Sequence, residues 1–376
     1  MHTFQTVYQD SHWVTPLPQH ADINLVLAFG SPELMLDNKL NDELSSAFPN
    51  AQIVGCSTSG EIQDDCLYDN SMCVTAIDFE HTQVHVVSHS INQFAHCAEL
   101  AKQLVSQLPL KGLKHVLVIS DGHLVNGSEL VDGLQQYLPQ GVMASGGLAG
   151  DGERFSQTTV WHNKRIESGL IVLIGLYGAR LSVGCGSLGG WRSFGPQRLI
   201  TKSTNNVLYE LDGRPALDLY KEFLGEFASD LPASALLYPL ALQQHGEQEH
   251  VVRTILSIDE SQKSMLFAGN MPEGATCQLM HSNYENLLDG AQLAADQAGA
   301  CFKGTPPELA ILISCVGRRL VLGQHVEEEL EIIKEGLPAK CAISGFYSYG
   351  EISPIQSIGR CGLHNQTMAV TLLSEK

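Results

Sequence analysis

The chain has 376 residues, of which 44% are hydrophobic and 17% are charged, a composition typical of a folded protein with more than one domain. Its 41 acidic and 22 basic side chains give a formal net charge of −19, and so acidic a surface repels nucleic-acid phosphates. Apolar runs are too short to span a bilayer, and the N-terminus lacks the pattern of a signal peptide. Ten cysteines without a C-x-x-C pair indicate buried thiols in a reducing compartment. We therefore expect a cytoplasmic protein that binds no nucleic acid and does not insert into membranes.

Three segments of the chain repeat one order of elements. Each has a β-rich apolar run, a stretch with helical apolar spacing, a proline that ends the helix, and a second short apolar run. The predicted strand, helix and strand cover 24–30, 36–48 and 51–55 in the first copy, 115–122, 128–138 and 142–146 in the second, and 309–317, 325–337 and 341–345 in the third.

The segment between the second and third copies has a different pattern. Residues 206–300 contain a helix with Pro215 near its start, short alternating strands and a second helix. Strand–helix–strand connections favour helices packed on a sheet. The sequence therefore predicts an α/β protein of repeated strand–helix–strand units with additional antiparallel strands, arranged as two modules.

A ten-residue pattern follows the helix of the first copy and returns in the third. It reads IVGCSTSGEI at 53–62 and ISGFYSYGEI at 343–352, and the second copy has Asp151 at the place of the glutamate. Glycines at both ends allow close backbone approach, and the hydroxyl side chains would suit a small polar ligand. The alternative is a pair of tight structural turns whose glutamates accept hydrogen bonds. The candidate ligand-binding residues are Ser57, Thr58, Ser59, Glu61, Tyr347, Tyr349 and Glu351.

Seven motifs in order carry a family resemblance. They are VNGSELVDGL, GLAGDGERF, SLGGWRSFGP, LYELDGRPALDLYKEFLG, ISCVGRRLVLG, GFYSYGEISP and HNQTMAVTLL. Together they resemble FIST-domain proteins, with a FIST N-like sensory module at 20–208 and a FIST C-like module at 209–376. The resemblance implies a bacterial sensory protein that acts on a signalling partner. One similar branch, the nitric-oxide-sensing NosP proteins, binds haem and modulates a histidine kinase of a two-component system.

A haem site would need an axial ligand, usually histidine, inside an apolar pocket. The C-x-x-C-H attachment motif is absent, so the expected cofactor is haem b. His364 begins the last strand, next to the repeated pattern, and His123 follows the first strand of the second copy. Both are candidate haem ligands, with His364 preferred for the iron, and the alternative for each is a surface or hydrogen-bonded histidine.

Two other functions stay open at this point. The first is a sensor of a small polar metabolite, such as an amino acid, without haem. The second is a hydrolase or transferase that uses Cys56 as nucleophile with Glu61 nearby. A catalytic thiolate needs an electropositive site, the sequence around Cys56 supplies no cation, and Phe346 replaces this cysteine in the third copy. We therefore expect a protein that is not an enzyme.

Overall fold

The computed structural model of the protein describes residues 1–94, 96–231, 233–244, 246, 250–302, 304–355 and 360–375. Its helices are α1 Pro32–Met35, α2 Asn38–Ala47, α3 Cys97–Gln107, α4 Gly127–Tyr137, α5 Ala216–Leu224, α6 Tyr284–Gly299, α7 Val316–Leu322 and α8 Glu328–Gly336. None of these helices in the described ranges is long and apolar enough to cross a membrane.

The strands in the same ranges make four sheets. They are β1 His2–Gln9, β2 His12–Trp13, β3 Leu25–Gly30, β4 Gln52–Ser57, β5 Glu61–Gln63, β6 Cys66–Tyr68, β7 Met72–Asp78, β8 Gln83–Ser90, β9 Leu113–Ser120, β10 Met143–Leu148, β11 Val160–His162, β12 Arg165–Glu167, β13 Leu170–Tyr177, β14 Leu181–Leu188, β15 Arg192–Thr204, β16 Val207–Leu211, β17 Arg214–Pro215, β18 Leu240–Gln243, β19 Val251–Arg253, β20 Ile255–Asp259, β21 Ser264–Phe267, β22 Thr276–His281, β23 Leu309–Cys315, β24 Ala342–Ser348, β25 Gly350–Ile355, β26 Arg360–His364 and β27 Met368–Glu375.

The three predicted repeats are confirmed. In each repeat the two strands pair in parallel around their helix: β3 with β4, β9 with β10, and β23 with β24. Asp37 and Asn126 cap α2 and α4 by accepting backbone N–H groups of the first turn, which fixes where these helices begin. The first and third repeats each have an additional helix before the predicted one: α1 precedes α2, and α7, which starts directly after β23, precedes α8.

The repeats exchange hairpins in a cycle. The sheet of the first repeat has the order β12-β11-β4-β3-β7-β1-β2, so its edge hairpin comes from the second repeat. The sheet of the second repeat, β26-β25-β10-β9-β13-β8, receives its hairpin from the third. The sheet of the third, β14-β27-β23-β24-β5-β6, receives β5 and β6 from the first. Because each of these three sheets contains strands from two repeats, the three repeats form one body.

The middle of this body is a shared apolar core. Strands alternate their side chains between two faces, and one face of each sheet points to the centre, where Phe29 and Phe346 meet with ring centroids 4.7 Å apart. The other faces are covered by helices, as where Leu330 of α8 packs with Leu312 of β23. This core holds the turns that connect the strands in fixed positions.

The segment between the repeats forms the fourth sheet, with eight strands in the described residues, and α5 packs on it. Arg253 of β19 ties this sheet to the repeats, since its Nη1 donates to the carbonyl of Leu363 in β26 at 2.9 Å. One of the cavities described below lies at the junction between the eight-stranded sheet and the three-repeat body.

Candidate functional site

The two copies of the ten-residue pattern meet in the structure. Most of each copy is strand, and only Thr58–Gly60 and Tyr349 form turns. The N–H of Ser59 donates to the carbonyl of Tyr347, and the N–H of Tyr347 donates to the carbonyl of Gly60, both at 2.8 Å. The pattern therefore marks a seam where the first and third repeats are joined.

The two glutamates of the pattern have the same surroundings. Glu61 is buried and accepts hydrogen bonds from the hydroxyls of Thr58 at 2.5 Å and Ser71 at 2.7 Å. Burial in these positions without a cationic partner favours the neutral carboxyl, and it raises the pKa of Glu61 to about 7.

Glu351 repeats this arrangement in the third repeat. It accepts from the hydroxyl of Ser348 at 3.0 Å and from the hydroxyl and N–H of Thr367 at 2.8 and 3.1 Å. Burial raises the pKa of Glu351 to about 8. Each glutamate thus joins the residue three positions before it to the residue directly before a neighbouring strand, β7 or β27, as the structural alternative in the sequence analysis describes.

The expectation that Asp151 occupies the position of the glutamates in the second repeat is wrong. Strand register places Glu61 opposite Phe346 and Val160 opposite Cys56, which makes Val160 the counterpart. Asp151 precedes β11 in a longer loop, where its carboxylate accepts the N–H groups of Ser156 and Gln157 at 3.0 and 2.9 Å. The extra loop residues shift the acid away from the glutamate position.

The remaining predicted loop residues point in several directions. Ser57 is buried in β4, and its Oγ accepts from the N–H of Thr159 at 2.9 Å. The hydroxyl of Tyr347 is buried and donates to Glu329 at 2.6 Å. The hydroxyl of Tyr349 donates to Asp151 and its ring stacks on Phe155 at 4.6 Å. The contacts of Ser57 and Tyr349 therefore reach the loop of the second repeat, and that of Tyr347 stays within the third repeat.

A seam cavity of about 260 Å³ opens beside the turn at 58–60 and is lined by Thr58, Ser59 and Glu61. Two arginines that the sequence analysis did not single out also line it. Arg319 of α7 forms a bidentate pair with Asp69, at 2.9 and 2.7 Å, and also donates to the carbonyl of Ser59. Arg154 pairs with Glu33 at 2.6 Å. The cavity thus combines hydroxyls with charges of both signs.

A second space, the junction cavity, lies between the three-repeat body and the eight-stranded sheet and has a volume of about 620 Å³. Cavities of roughly 300–1,000 Å³ hold cofactors and metabolites. The lining residues used below are Leu188, Trp191, Arg192, Val252, Met280, Leu293, Ile355 and His364.

His364 is the predicted site residue that lines this junction cavity, but it ends β26 and does not begin the last strand, β27, as predicted. It is buried, and its Nε2 lies 3.2 Å from the carbonyl of Ser353. Burial lowers the pKa of His364 to about 4, helped by the nearby charge of Arg253. At neutral pH the imidazole is therefore uncharged, which is the form that binds metals.

His123 lies elsewhere, in the turn between β9 and α4. Its side chain is exposed, and its N–H donates to Asp121 at 2.9 Å. It does not line the junction cavity. The structure therefore does not bring His123 and His364 to one site.

Cys56 belongs to the central core and is fully buried. Burial raises the pKa of its thiol well above the usual value, and the neighbouring Glu61 adds to this effect. A thiol in these surroundings stays protonated, whereas a nucleophilic cysteine must ionise. The described residues also contain no group of three or more side chains able to hold a metal ion by themselves.

Comparison with known proteins gives the family. The FIST N domain matches residues 24–214, and the FIST C domain matches residues 216–354. The chain belongs to the FIST family. FIST domains are sensory domains of signal transduction. The junction cavity takes part of its lining from each matched domain, with Trp191 from FIST N and Met280 from FIST C.

Two relatives of this FIST protein are named only as uncharacterized proteins. An uncharacterized protein of Mycobacterium tuberculosis is 26% identical over 270 residues, which cover 68% of this chain and 67% of the relative. An uncharacterized protein of Mycobacterium bovis is also 26% identical, over 68% of this chain and 66% of its own length. Among solved structures, a cyanuric acid hydrolase from A. caulinodans covers 78% of this chain and 99% of its own, at 10% identity and a TM-score of 0.18, too weak a likeness to bear on function.

Proposed function

We propose that this FIST protein is a sensor that binds haem b in the junction cavity through His364, responds to nitric oxide, and passes the signal to a partner such as a histidine kinase. The supporting observation is the position of His364: a buried, uncharged imidazole on the wall of a cavity of cofactor size, between the two FIST domains.

The hydrogen bond of His364 suits it to bind iron. A carbonyl oxygen only accepts hydrogen bonds, so the contact with Ser353 requires a proton on Nε2. The lone pair of the imidazole is then on Nδ1, which is the nitrogen we assign to the iron. Hydrogen bonding of the second nitrogen to a backbone carbonyl is a common way to orient a metal-binding histidine.

The other lining residues fit the two parts of a haem. Leu188, Val252 and Leu293 supply apolar surface for the porphyrin ring, and Trp191 adds an aromatic face. Arg192 is exposed on the same lining, where its charge would favour the haem propionates. When bound, haem would supply an iron atom that can bind nitric oxide.

The position of the cavity suggests how ligand binding would be communicated to a signalling partner. A ligand shifts a conformational equilibrium only if it binds one arrangement more tightly than the other. Residues of both FIST domains line the cavity, so an occupant would contact both and favour one arrangement of the junction. We propose that the signalling partner recognises this difference.

Haem reconstitution tests the proposal. Purified apoprotein is titrated with haemin, and the Soret band is followed for the wild type, His364→Ala and His123→Ala. We expect saturation at one haem per chain in the wild type and in His123→Ala, with a changed band and weaker binding in His364→Ala. No stoichiometric binding in the wild type, or equal titrations for all three proteins, would refute the assignment.

A second candidate function is sensing of a small polar metabolite, such as an amino acid, in the seam cavity. The observation that favours it is the cavity lining, where Thr58 and Ser59 lie beside positively charged arginines and negatively charged carboxylates. Ligand that binds only the folded state raises the melting temperature. A thermal-shift screen of amino acids should show stabilisation that Arg319→Met removes. If no amino acid raises the melting temperature, haem sensing stays the proposed function.

A further inference from the structure

We propose a separate binding site for a small phosphomonoester in a basic groove at the end of the second-repeat sheet. The groove has a volume of about 470 Å³ and is lined by Lys111, Lys114, His81, His85 and Tyr177, among others. It lies between the start of β8, the turn from α3 to β9, and the turn after β13. The groove is distinct from both the junction cavity and the seam cavity.

Charge is the first reason for this proposal. The lining contains two lysines and no aspartate or glutamate, in a chain of net charge −19. Both lysines are exposed, and neither forms an ion pair with another described residue. Cations that line a concave surface together attract anions more strongly than isolated surface cations.

Arg180 adds a third positive charge beside the groove. Its Nη1 donates to Nε2 of His81 at 2.8 Å, which orients this ring at the rim. Glu80 approaches His81 at 3.9 Å, but it also contacts His2 at 3.0 Å and the N-terminal amino group at 3.6 Å. Its charge is therefore shared with other groups outside the lining.

Tyr177 is the second, independent reason. This side chain is 8% exposed, and its hydroxyl has no hydrogen-bond partner in the described part of the chain. The hydroxyl lies over Gly175, which pairs with His85 across the two strands. A buried hydroxyl without a partner is uncommon, and a ligand oxygen close to His85 would supply one.

The ligand class follows from these groups. A carboxylate has one charge and two oxygens, whereas a phosphate monoester carries up to two charges and three terminal oxygens. Three cations and a hydroxyl donor match the phosphate better, and the volume leaves room for a small organic group. We therefore infer a phosphorylated metabolite.

Isothermal titration of haem-free protein with inorganic phosphate and with phenyl phosphate tests this inference. The variants are Lys111→Ala/Lys114→Ala and Tyr177→Phe, and the matched control is Lys164→Ala/Lys340→Ala, which removes two exposed lysines elsewhere. We expect one site per chain, affinity reduced about tenfold or more in the first variant and a smaller loss in Tyr177→Phe. The control should bind like the wild type.

Two results would overturn the proposal. One is an absence of saturable binding to the wild type at millimolar phosphate or phenyl phosphate. The other is an equal loss of affinity in the Lys111/Lys114 variant and in the control, which would show a general charge effect. Because the measurement uses haem-free protein, neither result depends on the proposed haem site.

Discussion

Replacing Glu61 by glutamine should change how stability depends on pH. Glu61 has a pKa of about 7 in the folded protein against 4.5 as the reference value for the unfolded chain. Between these values the folded protein holds a proton that the unfolded chain has released, so the free energy of unfolding falls as pH rises. At about 1.4 kcal/mol for each pH unit, the loss attributable to Glu61 at pH 8 is about 3 kcal/mol.

Glutamine resembles the protonated carboxyl in shape and cannot ionise. It still offers a carbonyl oxygen to one of the two hydroxyl partners of Glu61, Thr58 and Ser71, and a donor to the other. We therefore expect Glu61→Gln and the wild type to differ by less than about 1 kcal/mol at pH 5, and the variant to be about 3 kcal/mol more stable at pH 8.

The assay is urea unfolding at 25 °C in steps from pH 5 to pH 8. The difference between wild type and variant isolates Glu61, because all other titrating groups are common to both proteins. Glu335→Gln, an exposed position in α8, is the control and should run parallel to the wild type. Parallel curves for Glu61→Gln, or a wild type that gains stability relative to the variant as pH rises, would refute the reasoning.

Three further predictions concern packing and the junction cavity. Gly345→Ala should lower the free energy of unfolding by more than about 2 kcal/mol in urea unfolding, because the new Cβ would lie 1.8 Å from the carbonyl oxygen of Leu312. The control is Gly299→Ala, which has open space around the new Cβ and should leave the free energy of unfolding unchanged or raise it slightly. Arg318→Met should cost about 3–5 kcal/mol in the same assay by leaving Glu329 buried without its cation, and Arg318→Met/Glu329→Leu should recover much of this loss. Leu293→Trp should fill the junction cavity and weaken haemin binding more than about tenfold in a Soret titration, whereas the exposed Leu36→Trp should not.

The repeats could be predicted from the sequence because their signals are local. Apolar runs such as 309–315 and the proline after each helix specify strand–helix–strand units without reference to the rest of the chain. The hairpin exchange could not be predicted in this way. Strand β5 has three residues, and its partner β24 lies about 280 residues away, so contacts between repeats decide the pairing.

The candidate site, like the fold, could be predicted from the sequence only where the signal is local. His364 could be singled out by its place next to the repeated pattern, but its burial beside Ser353 and Arg253 depends on the eight-stranded sheet, which has no counterpart in the repeats. Arg319 was missed because nothing local distinguishes it from Arg318, although Arg318 is fully buried and Arg319 lines the seam cavity. The motif VGRR was the available signal, and its meaning depends on α7 starting directly after β23.

Imidazole rescue of His364→Gly tests the haem site most directly. This variant removes the side chain and leaves space that free imidazole can enter, so the experiment reports on the iron ligand itself. We expect the haem spectrum of His364→Gly to differ from that of the wild type and to return to it when imidazole is added. A wild-type spectrum in His364→Gly without imidazole, or a wild-type protein that takes up no haem, would contradict the proposed function.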